Sequence, residues 1–225
     1  MKKYTTLLLD ADDTLLDFIS AEASAIKTVC EKYNIPYSEE VRKTYSAINL
    51  NLWKKLEKGL ITRKEIQLRR FIEFALYIGT DADPVCMARD YVEALSRGGM
   101  VLDGAKELCR DLSQKYTLYI VTNGITAVQE SRLERSGLLP YFKDVFISEK
   151  FGSTKPEKRF FEAVFNLIDE KDLKNICIIG DSMSSDILGG INAGIDTCYF
   201  NTTNEFTYAP TYHAKNFEEI RKIFL

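Results

Sequence analysis

Four short runs constrain this chain more than anything else in it: residues 4–9 (YTTLLL), 116–122 (YTLYIVT), 175–180 (NICIIG) and 196–200 (DTCYF). Each is largely apolar without alternating. A strand with one face in water alternates, whereas a strand covered on both faces does not. The runs therefore predict buried parallel strands, with residues 144–148 (DVFIS) as a weaker fifth. Amphipathic segments lie between them. TAVQESRLERSG begins at Thr126, a suitable N-cap, and stops at Gly137. KPEKRFFEAVFNLI has Pro156 placed to open a helix. Strand and helix in alternation give an α/β class with a doubly wound parallel sheet.

The interval 17–97 breaks this rhythm. It holds no convincing strand and reads as four helices, at residues 20–34, 37–59, 62–79 and 83–96. Thr62 and Glu65 form a capping-box pattern at the start of the third. Gly59 and Gly79 punctuate the breaks. The expected organisation is an α/β core from residues 1–16 and 98–225, interrupted by an all-helical insertion at 17–97.

Bulk properties exclude several classes. A net charge of −3 advertises no basic surface for a nucleic acid polymer. No apolar run approaches the ~18 residues of a membrane span. The apolar stretch near the start is too short for a signal peptide and runs straight into acids. A cytosolic protein is expected, monomeric or a small homo-oligomer. The five cysteines, Cys30, Cys86, Cys109, Cys177 and Cys198, are widely spaced and form no C-x-x-C. Reduced, mostly buried thiols are the expectation. The single histidine, His213, has no second metal-binding neighbour in sequence and reads as structural or surface.

In open parallel sheets, ligands bind beyond the carboxyl ends of the strands. After the first strand comes DADDT, with Asp10, Asp12 and Thr14; after the second, VTNG, with Thr122, Asn123 and Gly124. STKPE follows the weak strand and carries Lys155; GDSMSSD follows NICIIG and carries Asp181 and Asp186. Carboxylates gathered at one edge repel each other unless a cation sits among them, and Mg2+ favours such oxygen ligands. One carboxylate of D-x-D can attack phosphorus while the other gives a proton to the leaving oxygen and later takes one from water. Thr14, Thr122, Asn123 and neighbouring backbone N–H groups can hold phosphoryl oxygens, and Lys155 can offset the negative charge. Taken singly, each acid also fits a solvated turn or a helix cap, and Asp13 reads as structural.

Four motifs in this order, DADDT, VTNG, KP and GDSMSSD, resemble the haloacid dehalogenase superfamily in its phosphatase branch. The resemblance implies a Rossmann-like core with a small helical cap. It also implies Asp10 as nucleophile and Asp12 as general acid/base. Asp10, the backbone oxygen of Asp12, and Asp181 would hold Mg2+, with Asp186 supporting the metal's surroundings and Lys155. The dehalogenases proper lack the second acid, so Asp12 favours phosphate chemistry. DADDTLLDF, AINLNLW, NGITAVQESRLERSGL and SDILGGINAG are further similar to cytosolic house-cleaning nucleotidases that act on non-standard pyrimidine nucleoside monophosphates. That implies a Mg2+-dependent 5′-nucleotidase working through an aspartyl-phosphate. Sugar-phosphate or phosphoglycolate phosphatase, phosphomutase and a non-catalytic phosphate-binding regulator are the alternatives.

Core groups that suit a phosphoryl group and a metal cannot tell one leaving group from another, so selection is expected from the insertion. Trp53 can stack on a base and Asn49 can read its edge, with Arg69 and Arg70 on helices nearby in sequence. Phe18, just past the first motif, is a further candidate for the substrate pocket. The competing reading is that Trp53 belongs to the core and the arginines to a solvated helix surface.

Overall fold

The computed structural model describes residues 4–225. Six strands, β1 (Thr6–Leu9), β2 (Thr117–Thr122), β3 (Asp144–Ile147), β4 (Ile176–Gly180), β5 (Asp196–Phe200) and β6 (Tyr212–Ala214), form one sheet. Its order is β3-β2-β1-β4-β5-β6, and every pairing is parallel. The helices α1 (Phe18–Lys32), α2 (Glu39–Glu57), α3 (Arg63–Ile78), α4 (Pro84–Ser96) and α5 (Ala105–Ser113) all fall between β1 and β2. α6 (Thr126–Ser136) follows β2, α7 (Lys158–Leu167) follows β3, α8 (Leu188–Ala193) follows β4, and α9 (Phe217–Phe224) follows β6.

The reason the strand runs are apolar throughout is now explicit. Leu7 and Leu9 of β1 share one buried cluster with Ile120, Ile179, Leu108, Leu112, Leu133 and Phe224, drawn from β2, β4, α5, α6 and α9. Leu8 points to the opposite face, where it packs with Tyr119, Val121, Ile178, Phe160 and Val164. Successive side chains thus enter different cores, and both faces demand hydrocarbon.

The chain separates into two compact units, one of residues up to Asp17 with Gly99–Leu225, the other Phe18–Gly98. The second is purely helical, α1 packing on α4, α2 on α3 and α3 on α4. Its centre is aromatic: the Tyr45 ring lies 5.1 Å from that of Tyr91 and 5.3 Å from that of Phe71. The α3 capping box forms in both directions. Thr62 Oγ1 accepts the Glu65 N–H at 3.3 Å, and Glu65 accepts the Thr62 N–H at 2.6 Å. In the first unit the segments that leave and re-enter the sheet run side by side. The Leu102 N–H donates to the Leu15 carbonyl and the Asp17 N–H to the Met100 carbonyl.

Three local expectations need correcting. Thr126 is the first residue of α6 rather than its cap; Ile125 takes the cap position, and the exposed Thr126 N–H is satisfied by Glu149 at 2.7 Å. Pro156 does not open α7. It follows a cis peptide bond in the preceding turn, and Glu157 is the cap. β6, three residues at the sheet edge, was not expected as a strand. All five cysteines are free thiols. His213 Nε2 donates a 2.7 Å hydrogen bond to the Asn201 carbonyl, and the ring stacks on Tyr199. No helix among the described residues is long and apolar enough to cross a membrane.

Leu8 is completely buried at the centre of the sheet. Leu8→Ala is expected to cost about 2–5 kcal/mol, read as a lower urea midpoint at unchanged slope.

Candidate active site

The strand order reverses between β1 and β4, and this is where an open parallel sheet leaves a crevice at its carboxyl edge. Asp10 follows β1 there and Asp181 follows β4. Asp10 is held by the sheet itself, because its N–H still donates to the Ile179 carbonyl at 2.9 Å. The next turn needs a left-handed residue, and Asp13 takes it at φ +57°, a conformation that Asp tolerates better than most side chains.

Lys155 is the hub. Its ammonium, 1% exposed, donates to Asp10 Oδ1 at 2.5 Å, Asp186 Oδ1 at 2.7 Å and the Val121 carbonyl at 2.8 Å. Three acceptors match the three protons of an ammonium. Burial works to lower the Lys155 pKa, but the charges of Asp10 and Asp186 outweigh it and hold the group above its usual value. The loop that carries Lys155 is gripped by Asn123, whose amide accepts the Lys155 N–H and donates to the Lys155 carbonyl, both at 2.9 Å.

Asp186 uses both oxygens inside the protein, Oδ1 on Lys155 and Oδ2 on the Ser182 N–H at 3.0 Å. It belongs to a single π-helical turn, Met183–Ile187, capped by Ser182. Gly180 makes room for it: a Cβ there would lie 2.3 Å from the Asp186 carboxyl. Thr14 links the two strand ends, its hydroxyl accepting the Asp181 N–H at 3.1 Å and donating to Asp181 Oδ1 at 3.3 Å.

Oxygens of Asp10, Asp181 and Asp186 lie within 4.8 Å of one another. Asp10 is pushed up to about 7, first by burial and then by the charges of Asp186 and Asp12, against the opposing pull of Lys155. Asp181 is raised well above the carboxylate range, first by burial and then by the charges of Asp10, Asp186 and Asp13. One lysine therefore does not neutralise the cluster. A hard cation with oxygen ligands fits the remaining demand. Since Asp186 is already engaged at both oxygens, Asp10 and Asp181 are the side chains placed to hold it.

Asp12 is more open, and two residues on α6 hold it. Gln129 Nε2 donates to Asp12 Oδ2 at 2.9 Å, and Arg132 Nη1 pairs with Asp12 Oδ1. Gln129 Nε2 also lies 2.8 Å from Thr122 Oγ1, which accepts the Gly124 N–H at 3.2 Å as well. With two donors already on its oxygen, the Thr122 hydroxyl proton is directed elsewhere. Gly124 has no side chain because Gln129 fills the space; a Cβ would meet Gln129 Cγ at 2.4 Å. Sequence reasoning did not single out Gln129 or Arg132. The signal was two polar residues three apart on a helix that begins at the carboxyl end of β2, flanked by the buried Val128 and Leu133.

The structure thus gathers Asp10, Asp12, Thr14, Thr122, Asn123, Gly124, Lys155, Asp181 and Asp186 in the sheet unit. Thr14 and Asn123 spend their side chains on Asp181 and on the Lys155 backbone. In the helical unit, Asn49 and Arg70 are each 2% exposed. Asn49 donates to Glu22 Oε1 at 2.8 Å and accepts from Arg70 at 3.2 Å, and Ser46 also bonds Glu22. The Arg70 guanidinium stands 4.5 Å from the centre of the Tyr91 ring. Trp53 and Phe18 are half-buried and Arg69 is exposed. Arg63 lies 5.7 Å from the Trp53 ring centre.

Residues 4–194 match the family model for haloacid dehalogenase-like hydrolases. The chain belongs to this family. Similar proteins span nearly its whole length. HAD-hydrolase YfnB of Bacillus subtilis is 42% identical, over 99% of this chain and 96% of YfnB. The YfnB crystal structure, described as bound to magnesium, matches with a TM-score of 0.94 over 99% of both chains. Pyrimidine 5′-nucleotidase PynA of Streptococcus pneumoniae is 37% identical, over 96% of this chain and 93% of PynA. Pyrimidine 5′-nucleotidase YjjG of Escherichia coli is 31% identical, over 98% of each.

In this hydrolase, Lys155→Met should leave Asp10 and Asp186 buried without their cation. Breaking a buried pair in this way costs about 3–5 kcal/mol. The sign of the pH dependence follows from Asp10, whose pKa lies above its unfolded value. The folded form is favoured below the unfolded carboxylate pKa, and in the wild-type protein that contribution is lost as pH rises through about 7; removing Lys155, which pulls the Asp10 pKa down, carries the loss on to higher pH in the variant. The variant's deficit in urea denaturation should therefore be larger at pH 8 than at pH 5.

Proposed function

We propose that this hydrolase is a Mg2+-dependent phosphatase acting through an aspartyl-phosphate, with pyrimidine nucleoside 5′-monophosphates as its substrates. The observation that carries the phosphatase reading is the pairing of a rigid, deeply buried Asp10 with a second, more open acid, Asp12, at the same sheet edge. The nucleotidase reading is supported by the likeness to PynA and YjjG across sheet and helical units alike.

In this mechanism Asp10 attacks phosphorus in line with the ester oxygen. The phosphorus–oxygen bond to the leaving group breaks, and Asp12 supplies the proton that the departing oxygen needs. Asp12, now ionised, takes a proton from water as that water attacks the aspartyl-phosphate; inorganic phosphate leaves and Asp10 is restored. Lys155 holds Asp10 in place and offsets charge on the phosphoryl oxygens, and Thr122 offers its hydroxyl proton to one of them. Asp10, Asp181 and the Asp12 backbone oxygen would hold Mg2+, which when bound supplies positive charge that favours ionised Asp10. The magnesium-bound form of the similar YfnB supports Mg2+ as the cation.

Choice of leaving group is assigned to the helical unit, with Trp53, Phe18 and Arg69 as its contact residues. Asn49 and Arg70 serve by holding α1, α2 and α3 together through Glu22. A cytosolic location and a small soluble phosphate ester as partner complete the reading.

Asp10→Asn should remain folded and release no phosphate, because an amide is a poor nucleophile; turnover near the wild-type rate would remove the covalent step. Mg2+ should raise the melting temperature, and more at pH 8 than at pH 6, because protons compete for Asp10 at the lower pH. Exhaustive chelation should abolish activity. Trp53→Ala should lower kcat/KM roughly tenfold or more on a pyrimidine monophosphate, about 1.4 kcal/mol, with a much smaller effect on a small aryl phosphate.

A further inference from the structure

Asp10 and Asp12 are held in different ways. Asp10 is an extension of β1 and still belongs to the hydrogen-bond ladder of the sheet. Asp12 lies past the strand, beside the left-handed Asp13, and its side chain is 28% exposed. Its position depends on side-chain partners. Both come from one helix face. Gln129, 1% exposed, donates to Oδ2, and the fully buried Arg132 pairs with Oδ1. The two partners are themselves joined, Arg132 Nη1 donating to Gln129 Oε1 at 3.2 Å. The result is a fork of two donors, one for each carboxylate oxygen, rooted in a buried part of α6.

We propose that Gln129 and Arg132 are positioning residues that fix the Asp12 carboxyl in the orientation from which it protonates the leaving group. This rests on the phosphatase reading above. A carboxylate presents about four lone-pair sites. The fork occupies one on each oxygen, leaving one on each to carry the transferable proton. Rotation of the carboxyl about its Cβ–Cγ bond breaks both contacts at once. Gln129 has a second duty, because the same amide donates to Thr122 Oγ1. One side chain thus sets the angle of the proton donor and directs the hydroxyl proton of a phosphoryl-binding group.

The inference differs from a structural role in what it predicts for different esters. An alkoxide needs a proton as it leaves; a nitrophenoxide needs little help. Benzyl phosphate and 4-nitrophenyl phosphate are therefore compared at saturating Mg2+. The quantity read is kcat/KM, which ends at formation of the aspartyl-phosphate and is blind to the later use of Asp12 as a base. Asp12→Asn is the reference: it should lose at least about 100-fold on benzyl phosphate and far less on 4-nitrophenyl phosphate. Gln129→Met, which keeps the length and removes the donor, and Arg132→Met should follow the same pattern, losing at least about tenfold more on the alkyl ester than on the aryl ester; in Gln129→Met a loss common to both esters accompanies it, because Thr122 loses one of its two donors. Arg132→Lys should recover most of the difference.

Equal losses on the two esters, or none, in Gln129→Met and Arg132→Met would overturn the positioning role while leaving the phosphatase reading intact. Should Arg132→Met fail to fold, Gln129→Met decides alone. If Asp12→Asn itself shows no ester dependence, the acid assignment falls and the inference with it. A wild-type protein that hydrolyses neither ester overturns the phosphatase reading and this inference together.

Discussion

A buried ammonium surrounded by acids is the interaction on which the rest of this molecule depends. Lys155 sits among Asp10, Asp186 and the Val121 carbonyl with 1% of its surface exposed. None of these charges is tolerable alone in that place. Together they tie the loop after β3 to the ends of β1, β2 and β4, so the electrostatics that shape the site also close one edge of the sheet. The arrangement remains short of positive charge, as the raised pKa values of Asp10 and Asp181 show. A protein that leaves carboxylates in that condition trades stability for a place where an anion and a cation can meet.

The sheet contributes precision. Each functional loop begins within a residue or two of a strand end, and those ends are set by neighbouring parallel strands in register. Side chains that cannot rely on a strand are fixed by other means. Asn123 clasps the Lys155 backbone, Thr14 bridges to Asp181, and Gln129 reaches Asp12 and Thr122 from a helix. Gly180 and Gly124 belong to the same scheme, as spaces left for the carboxyl of Asp186 and the side chain of Gln129.

Much of this was legible in the residues because burial on both faces leaves a strong mark. Leu7, Leu8 and Leu9 had to be apolar for two different cores, and the five longer strands stand within two residues of their expected limits. The acids were legible because a strand that ends in carboxylates calls for a reason. β6 was not, since Tyr212, His213 and Ala214 are too few to show any period. Gln129 and Arg132 were hidden for another cause: polar residues on a helix read as its wet face, and only the tertiary structure turns that face toward Asp12. Asn49 and Arg70 show the converse. Their polarity suggested a ligand, but the helical unit consumes it internally around Glu22, between aromatic rings that the sequence pattern marked only as apolar.

The paired segments at Leu15 to Asp17 and Met100 to Leu102 carry one further consequence. The chain departs from the sheet and comes back along itself, so the excursion between them starts and ends at nearly one point. Whatever is spliced there need satisfy only that short gap, as a flask need match only the neck of its stopper. Insertions of other lengths or architectures can be exchanged at this junction without disturbing Asp10, Lys155 or the strand register. Inheritance of the phosphate-handling half and reinvention of the other half become separate events in the history of such a gene.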